Sequence, residues 1–213
     1  MSDAFIPVQA IKGRGLASQH PHRFSRELRD AFDDGWSTLD EMHGGEPAAA
    51  PATRVILETA RSALASNDSP DIFFDQSVNP YRGCEHGCVY CYARPTHSYL
   101  NLSPGLDFET QIIAKHNIAE LLRAELARPA HVPTLVNIGS ATDCYQPVER
   151  ELRLTRALIE VMRDARHPFS LITKSSGVER DVDLLAPLAR DRLAAAYITI
   201  TTLDARLARI LEP

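Results

Sequence analysis

Three of the four cysteines fall within eight residues, at Cys84, Cys88 and Cys91. They sit in the string Asn79-Pro80-Tyr81-Arg82-Gly83-Cys84-Glu85-His86-Gly87-Cys88-Val89-Tyr90-Cys91-Tyr92. Three thiolates on one short loop can hold three irons of a [4Fe–4S] cubane. Electron-transfer clusters use four cysteines, so a three-cysteine loop leaves one iron open to a substrate or cofactor. Gly83 and Gly87 let the backbone wrap such a group closely. A structural zinc site is the alternative, with Cys144, His86 or His97 as fourth ligand. Paired short spacings suit zinc better than three residues followed by two. His86 and His97 read better as hydrogen-bonding loop residues. Tyr90, inside the ligand loop, is expected to touch the cluster side, against a role in core packing.

In α/β sheets ligands bind beyond the carboxyl ends of the strands, so polar groups there are the next candidates. Gly139-Ser140-Ala141-Thr142-Asp143-Cys144 follows an expected strand over 134–138 and offers a tight turn and then a carboxylate. Lys174 follows an expected strand over 169–173. It is one of only three lysines, with Lys12 and Lys115, and is a plausible anchor for a carboxylate. Alternation along an expected strand over 196–201 puts Thr199 and Thr201 on one face. Cys144 reads equally well as a buried small hydrophobe. Arg82, Arg94 and Arg150 flank these turns and read as salt-bridged scaffolding rather than phosphate ligands.

The elements that must position these groups are a series of alternating strands and helices. Strands are expected over 53–57 and 71–78, with a turn at 67–70 between them. A helix follows over 117–126. Then come strand 134–138, helix 149–162, strand 169–173, helix 181–189, strand 196–201 and helix 204–211. This alternation predicts an α/β fold with about four parallel strands, apolar on both faces. Four strands are too few to close an eight-stranded barrel, so either the sheet is open or the chain is a fragment. Residues 1–52 read as an irregular N-terminal extension and linker, with a short helix over 26–32, ahead of a core domain over 53–213.

Composition narrows the classes. The 213 residues are 44% hydrophobic and 24% charged, as in an ordinary globular chain. A net charge of -5 argues against a general basic coat for nucleic acid, though not against a local basic channel. No run approaches a membrane span, and the N-terminus lacks the apolar stretch of a signal peptide; the expected location is cytoplasmic. Clustered thiols fit a reducing compartment better than a disulfide framework.

The cysteine loop resembles the signature of the radical S-adenosylmethionine (SAM) superfamily, in which the residue before the third cysteine is usually aromatic, as Tyr90 is. The wider string NPYRGCEHGCVYCYARPTH is similar, more narrowly, to the group of spore photoproduct lyase, DNA repair enzymes that split a thymine dimer. Gly13-Arg14-Gly15 and Arg23-Phe24 resemble a bacterial branch of that group. The resemblance implies a partial (β/α) barrel of the radical SAM type. It implies a [4Fe–4S] cluster on Cys84, Cys88 and Cys91, and SAM cleaved to a 5′-deoxyadenosyl radical that abstracts hydrogen. Tyr90, Thr142, Asp143, Lys174, Thr199 and Thr201 would contact SAM, Lys174 through its carboxylate. The implied partners are an electron donor such as flavodoxin or ferredoxin and an unidentified substrate, with a nucleic-acid lesion suggested by analogy. Aligned at Asp143, Ser140 stands where the lyase has its hydrogen-donating cysteine, which weakens the reading as dimer repair. The alternatives are a zinc- or cluster-stabilised binding module and an inactive truncated fragment.

Overall fold

The computed structural model describes residues 11–25 and 51–213. In chain order the strands are β1 (Arg54–Glu58), β2 (Leu64–Ser66), β3 (Gln76–Val78), β4 (Tyr81–Arg82), β5 (Gln111–Lys115), β6 (Val136–Ile138), β7 (Phe169–Thr173) and β8 (Ala194–Ile198). The helices are α1 (Asp107–Thr110), α2 (Ile118–Leu126), α3 (Glu149–Leu152), α4 (Leu154–Ala165), α5 (Val182–Arg190) and α6 (Ala205–Leu211). Tight 3-10 turns occupy Arg94–Leu100 and Ser176–Asp181. No helix among the described residues is long and apolar enough to cross a membrane.

The strands form two open sheets, and no closed barrel is present among the described residues. The larger sheet has the order β2-β3-β6-β7-β8, with β3, β6, β7 and β8 parallel and β2 antiparallel on the edge. The smaller sheet pairs β1 parallel with β5 and β5 antiparallel with β4. The fold is therefore mixed α/β with parallel strands. Four of them share one sheet, as the alternating pattern predicts.

One face of the large sheet is apolar because residues two apart along a strand share a face. Val136, Ile138, Phe169 and Leu171 on that face pack against Ile118 and Leu122 of α2, Leu158, Ile159 and Met162 of α4, and Leu184, Leu185 and Leu188 of α5. The other face departs from expectation. Ser77, Asn137 and Ser170 are cross-strand neighbours and form a buried polar row there. The Asn137 amide donates to Ser170 Oγ at 2.9 Å, which offsets part of that burial, while Asn137 Oδ1 is buried without a hydrogen-bond partner among the described residues.

Several boundaries differ from the sequence expectation. Only Gln76–Val78 of the run 71–78 is strand; Asn67 ties the preceding segment into a loop through Asp75 O and Phe74 O. Strands β2, β4 and β5 are additions. Strand β8 sits two residues earlier than expected because its register runs from Phe169↔Ala194 to Thr173↔Ile198. The expected helix over 149–162 is two helices, α3 and α4, separated by Arg153 in the left-handed conformation at φ 52°. That kink lets the Glu149 carboxylate cap the next helix by accepting the Thr155 N–H at 3.0 Å. The short helix over 26–32 lies outside the described residues.

Glu149 is buried and also accepts from the Tyr81 hydroxyl and from Arg180 Nη2, the latter at 2.8 Å. It thus ties β4 to α4 and to the turn before α5. Glu149→Gln should lower unfolding stability by about 2 kcal/mol, because charge-assisted bonds become neutral ones. Urea unfolding followed by circular dichroism checks this; an unchanged midpoint would mean that the carboxylate charge carries no stability.

Candidate metal and cofactor site

The cysteine loop begins where β4 ends. Gly83 has φ 81°, and a Cβ there would lie 2.9 Å from Phe108 O, so only glycine fits. The next residue, Cys84, donates its N–H to that same Phe108 carbonyl at 2.9 Å. Cys88 and Cys91 lie on successive turns, with Cys91 N–H on Cys88 O at 3.2 Å. The Arg94 guanidinium holds the loop from inside. It donates to Cys88 O at 2.9 Å, Gly87 O at 3.2 Å and Gly105 O at 3.3 Å, and it pairs with Glu109 at 2.5 Å. Both side chains are buried, at 8% and 0% exposure.

Glu109 then reaches the N-terminal segment. Its carboxylate accepts the N–H groups of Gly15 at 2.9 Å and Leu16 at 3.1 Å. A Cβ on Gly15 would lie 1.7 Å from Gly87 O, so a glycine must pass over the loop at that point. Arg14 is anchored on Glu109 O and Pro51 O, both at 2.9 Å. The guanidinium of Arg23 lies over the rings of Phe24 and Tyr99, at 4.8 and 4.7 Å from their centroids. On the other side Gln146 receives Glu85 N–H and donates to Gly83 O, each at 3.1 Å.

All four cysteines are free thiols, and the three of the loop line one cavity of about 230 Å³. It lies beyond the carboxyl ends of β6, β7 and β8, where parallel sheets hold their ligands. Tyr90, Thr142, Asp143, Lys174 and Thr199 share its wall, together with His86 and Ser140. Thr201 is adjacent: its hydroxyl meets Tyr90 OH at 2.9 Å and Lys174 Nζ at 3.2 Å. Thr199 and Thr201 come not from the strand but from the segment after it, Thr199 N–H bonding Thr173 O at 2.9 Å. Thr142 lines the wall while its hydroxyl donates to Tyr81 O at 3.1 Å.

Asp143 organises one side of the cavity. It accepts from Thr173 Oγ1 at 2.6 Å, Lys174 N–H at 2.7 Å and Tyr145 N–H at 2.8 Å. Burial alone would raise its pKa, but these bonds and His86 more than offset that and hold it below the usual carboxylate range. His86 Nδ1 faces Asp143 Oδ2 at 3.3 Å, an ion-pair contact rather than an aligned hydrogen bond. Burial would lower the His86 pKa; Asp143 and Cys84 lift it to about 10. The thiols move the other way. Burial, with the charges of Cys84 and Glu212, pushes Cys88 up to about 12, and burial raises Cys91 as well.

The opposite side carries an internal carboxylate. Glu212 pairs with Lys174 Nζ at 2.9 Å and accepts from Thr201 Oγ1 at 2.6 Å and from Tyr90 OH. Leu211 O accepts the Val89 N–H at 3.0 Å, so the C-terminal end of α6 lies against the cysteine loop. Burial opposes the Lys174 charge, but Glu212 and Tyr90 more than offset this and raise its pKa.

The candidate fourth zinc ligands separate clearly. His97 is buried elsewhere, with Nε2 on Gln111 O at 3.0 Å, and Cys144 is buried with its thiol toward Ile172 O. Only His86 faces the cavity. Among the described residues no three His, Cys, Asp or Glu side chains converge on a single-ion position. The three thiols of the loop line the cavity wall together. Two contributors went unread in the sequence, His86 as the partner of Asp143 and Glu212 as the partner of Lys174. No local spacing links either pair.

No family model matches the chain, and no solved structure matches it. Curated relatives exist among prokaryotes. An uncharacterised protein of Mycobacterium tuberculosis and one of Mycobacterium bovis are each 40% identical over 139 residues, which is 65% of this chain and 41% of theirs. An uncharacterised protein of Methanocaldococcus jannaschii is 29% identical over 136 residues, 64% of this chain and 48% of its own. The matched segments thus span less than half the length of these relatives.

Proposed function

We propose that this chain is the cluster- and cofactor-binding part of a radical SAM enzyme. One observation carries the reading: the thiols of Cys84, Cys88 and Cys91 share a single cavity with Asp143, Lys174 and Thr199, at the carboxyl ends of parallel strands. The open sheet of four parallel strands is then a section of a barrel of the radical SAM type. When bound, a three-thiolate [4Fe–4S] cluster supplies an open iron and one electron for reductive cleavage of a sulfonium cofactor.

The protein's own residues bind, orient and shield. Arg94, Glu109 and Gln146 fix the loop so that three thiols face inward. Thr173 Oγ1 and the Lys174 N–H fix Asp143, whose carboxylate suits a ligand ammonium. Lys174 suits a ligand carboxylate, and Glu212 fills that place in the free chain. A bound amino acid therefore exchanges one carboxylate for another at Lys174. Substrate and electron donor are unassigned; a nucleic-acid lesion and a flavodoxin or ferredoxin follow from the resemblance alone.

Anaerobic reconstitution tests the cluster. About four irons per chain are expected. Cys88→Ala should abolish uptake, whereas Cys144→Ala should retain it; loss of iron in Cys144→Ala alone would overturn the ligand set. A single zinc per chain would point to the binding-module reading instead.

Uptake should also depend on pH in a set direction. The thiols must shed protons to ligate, and the raised pKa values of Cys88 and Cys91 keep them protonated at neutral pH. Cluster occupancy at limiting iron should therefore rise as pH increases from about 7 to about 9. Occupancy that falls over this range would contradict the protonated-thiol site.

SAM binding to the cluster-loaded chain tests the lysine. Lys174→Ala should weaken it roughly 10- to 150-fold with iron retained. Glu212→Gln should tighten it roughly two- to fivefold by removing the competing carboxylate. Equal affinities in both variants and the parent would remove Lys174 from the site.

A further inference from the structure

The smaller sheet ends in a second cleft, separate from the cysteine cavity. Strands β1 and β5 are parallel, and their last residues, Glu58 and Lys115, are register partners. Beyond these carboxyl ends lies a polar cleft of about 630 Å³, lined by Glu58, Arg61, Arg82, Lys115 and the backbone of the loop after β1. Three cations and one carboxylate face it, a local charge of +2 on a chain of net charge -5. Arg82 Nη2 pairs with Glu58 Oε1 at 3.2 Å, and Glu58 Oε2 is buried without a hydrogen-bond partner among the described residues, so this carboxylate is the one group of the cleft that opposes an anion. The Lys115 ammonium has no ion-pair or hydrogen-bond partner among the described residues, and Arg61 is exposed.

The loop is built rather than loose. Asn117 grips Ala60 twice, accepting its N–H at 2.8 Å and donating to its carbonyl at 3.0 Å. Glu125 accepts the N–H groups of Ala63 at 3.0 Å and Leu64 at 2.9 Å. These four bonds hold the cleft open and fix where Arg61 emerges. A guanidinium fork beside an unpaired ammonium, on a rigid frame at parallel-strand ends, matches the chemistry of a phosphate.

We propose that this cleft binds a phosphate group through Lys115, Arg82 and Arg61. Burial and the neighbouring Arg82 hold the Lys115 pKa below its ordinary value, partly opposed by Glu58, so an arriving dianion relieves an unfavourable charge. A phosphorylated small molecule and a nucleic-acid backbone present the same group, and the test separates them. The site goes beyond the cluster reading and does not rest on it.

The chain has three lysines, so acylation by a water-soluble reagent with mass spectrometry reads each separately. The metal-free chain is labelled in chloride, in inorganic phosphate at matched ionic strength, and with a short single-stranded oligonucleotide. Phosphate should slow Lys115 acylation about tenfold and leave exposed Lys12 unchanged. Arg61→Ala, a surface change that leaves the fold alone, should reduce that protection severalfold, and Lys115→Gln should abolish phosphate-dependent thermal stabilisation. Protection by oligonucleotide at concentrations well below those of phosphate assigns a polymer ligand; protection by phosphate alone assigns a small one. Equal Lys115 rates in chloride and in both ligands, or equal protection of Lys12 and Lys115, would overturn the proposal.

Discussion

The site depends on the buried pair of Arg94 and Glu109. A buried ion pair seldom adds net stability, because both charges give up water. This one is satisfied almost completely: the guanidinium serves three loop carbonyls and a carboxylate, and the carboxylate serves two backbone N–H groups of the N-terminal segment. Its product is geometry. Carbonyls that turn toward Arg94 leave the thiols on the other side of the loop. The same carboxylate seats Gly15 against Gly87, so a segment far upstream in sequence becomes the outer wall of the loop.

A second constraint joins the loop to the sheet. Asp143 follows β6, takes hydrogen bonds from the end of β7 and faces His86 between the cysteines. A change of charge at the thiols is thereby felt at the strand ends, across a single carboxylate. Lys174 and Glu212 repeat the arrangement on the other wall with opposite polarity. The cavity is thus walled by groups already in electrostatic balance, and a zwitterionic ligand would replace one set of pairs by another instead of introducing new charge.

The parts of this structure legible in the sequence are those set by local pattern. The strand over 169–173 and the helix ending at Leu126 stand where apolar spacing puts them. The cysteine spacing and the polar residues after the parallel strands pointed to the thiols, Asp143 and Lys174, whereas Thr142 and Thr199 were singled out by resemblance; all of them line one cavity. Features set by tertiary contacts were not legible. Strand β5 is five residues between a helical turn and α2, and Ile112 and Ile113 were its only signal. The break at Arg153 goes with a contact no local pattern announces, the Glu149 carboxylate on the first turn of α4. The row of Ser77, Asn137 and Ser170 becomes visible only once the register is known. Gly13-Arg14-Gly15 stood out by resemblance, while the physical reason for Gly15, a backbone crossing too close for a side chain, needed the fold.

Strand β8 has one further consequence. Among the described residues it pairs with β7 on one side only, and its residues Ala194-Ala195-Ala196-Tyr197-Ile198 include no charge and no proline. Natural edge strands commonly carry such gatekeepers against pairing with a second molecule. Here Tyr197 and Ile198 stay about half exposed, and Ile200 and Leu203 beyond them are more so. Among the described residues this edge therefore offers backbone groups and apolar side chains together. A further strand, from the same protein or from another, would find a ready template there, on a sheet other than the one that carries β4 and the start of the cysteine loop.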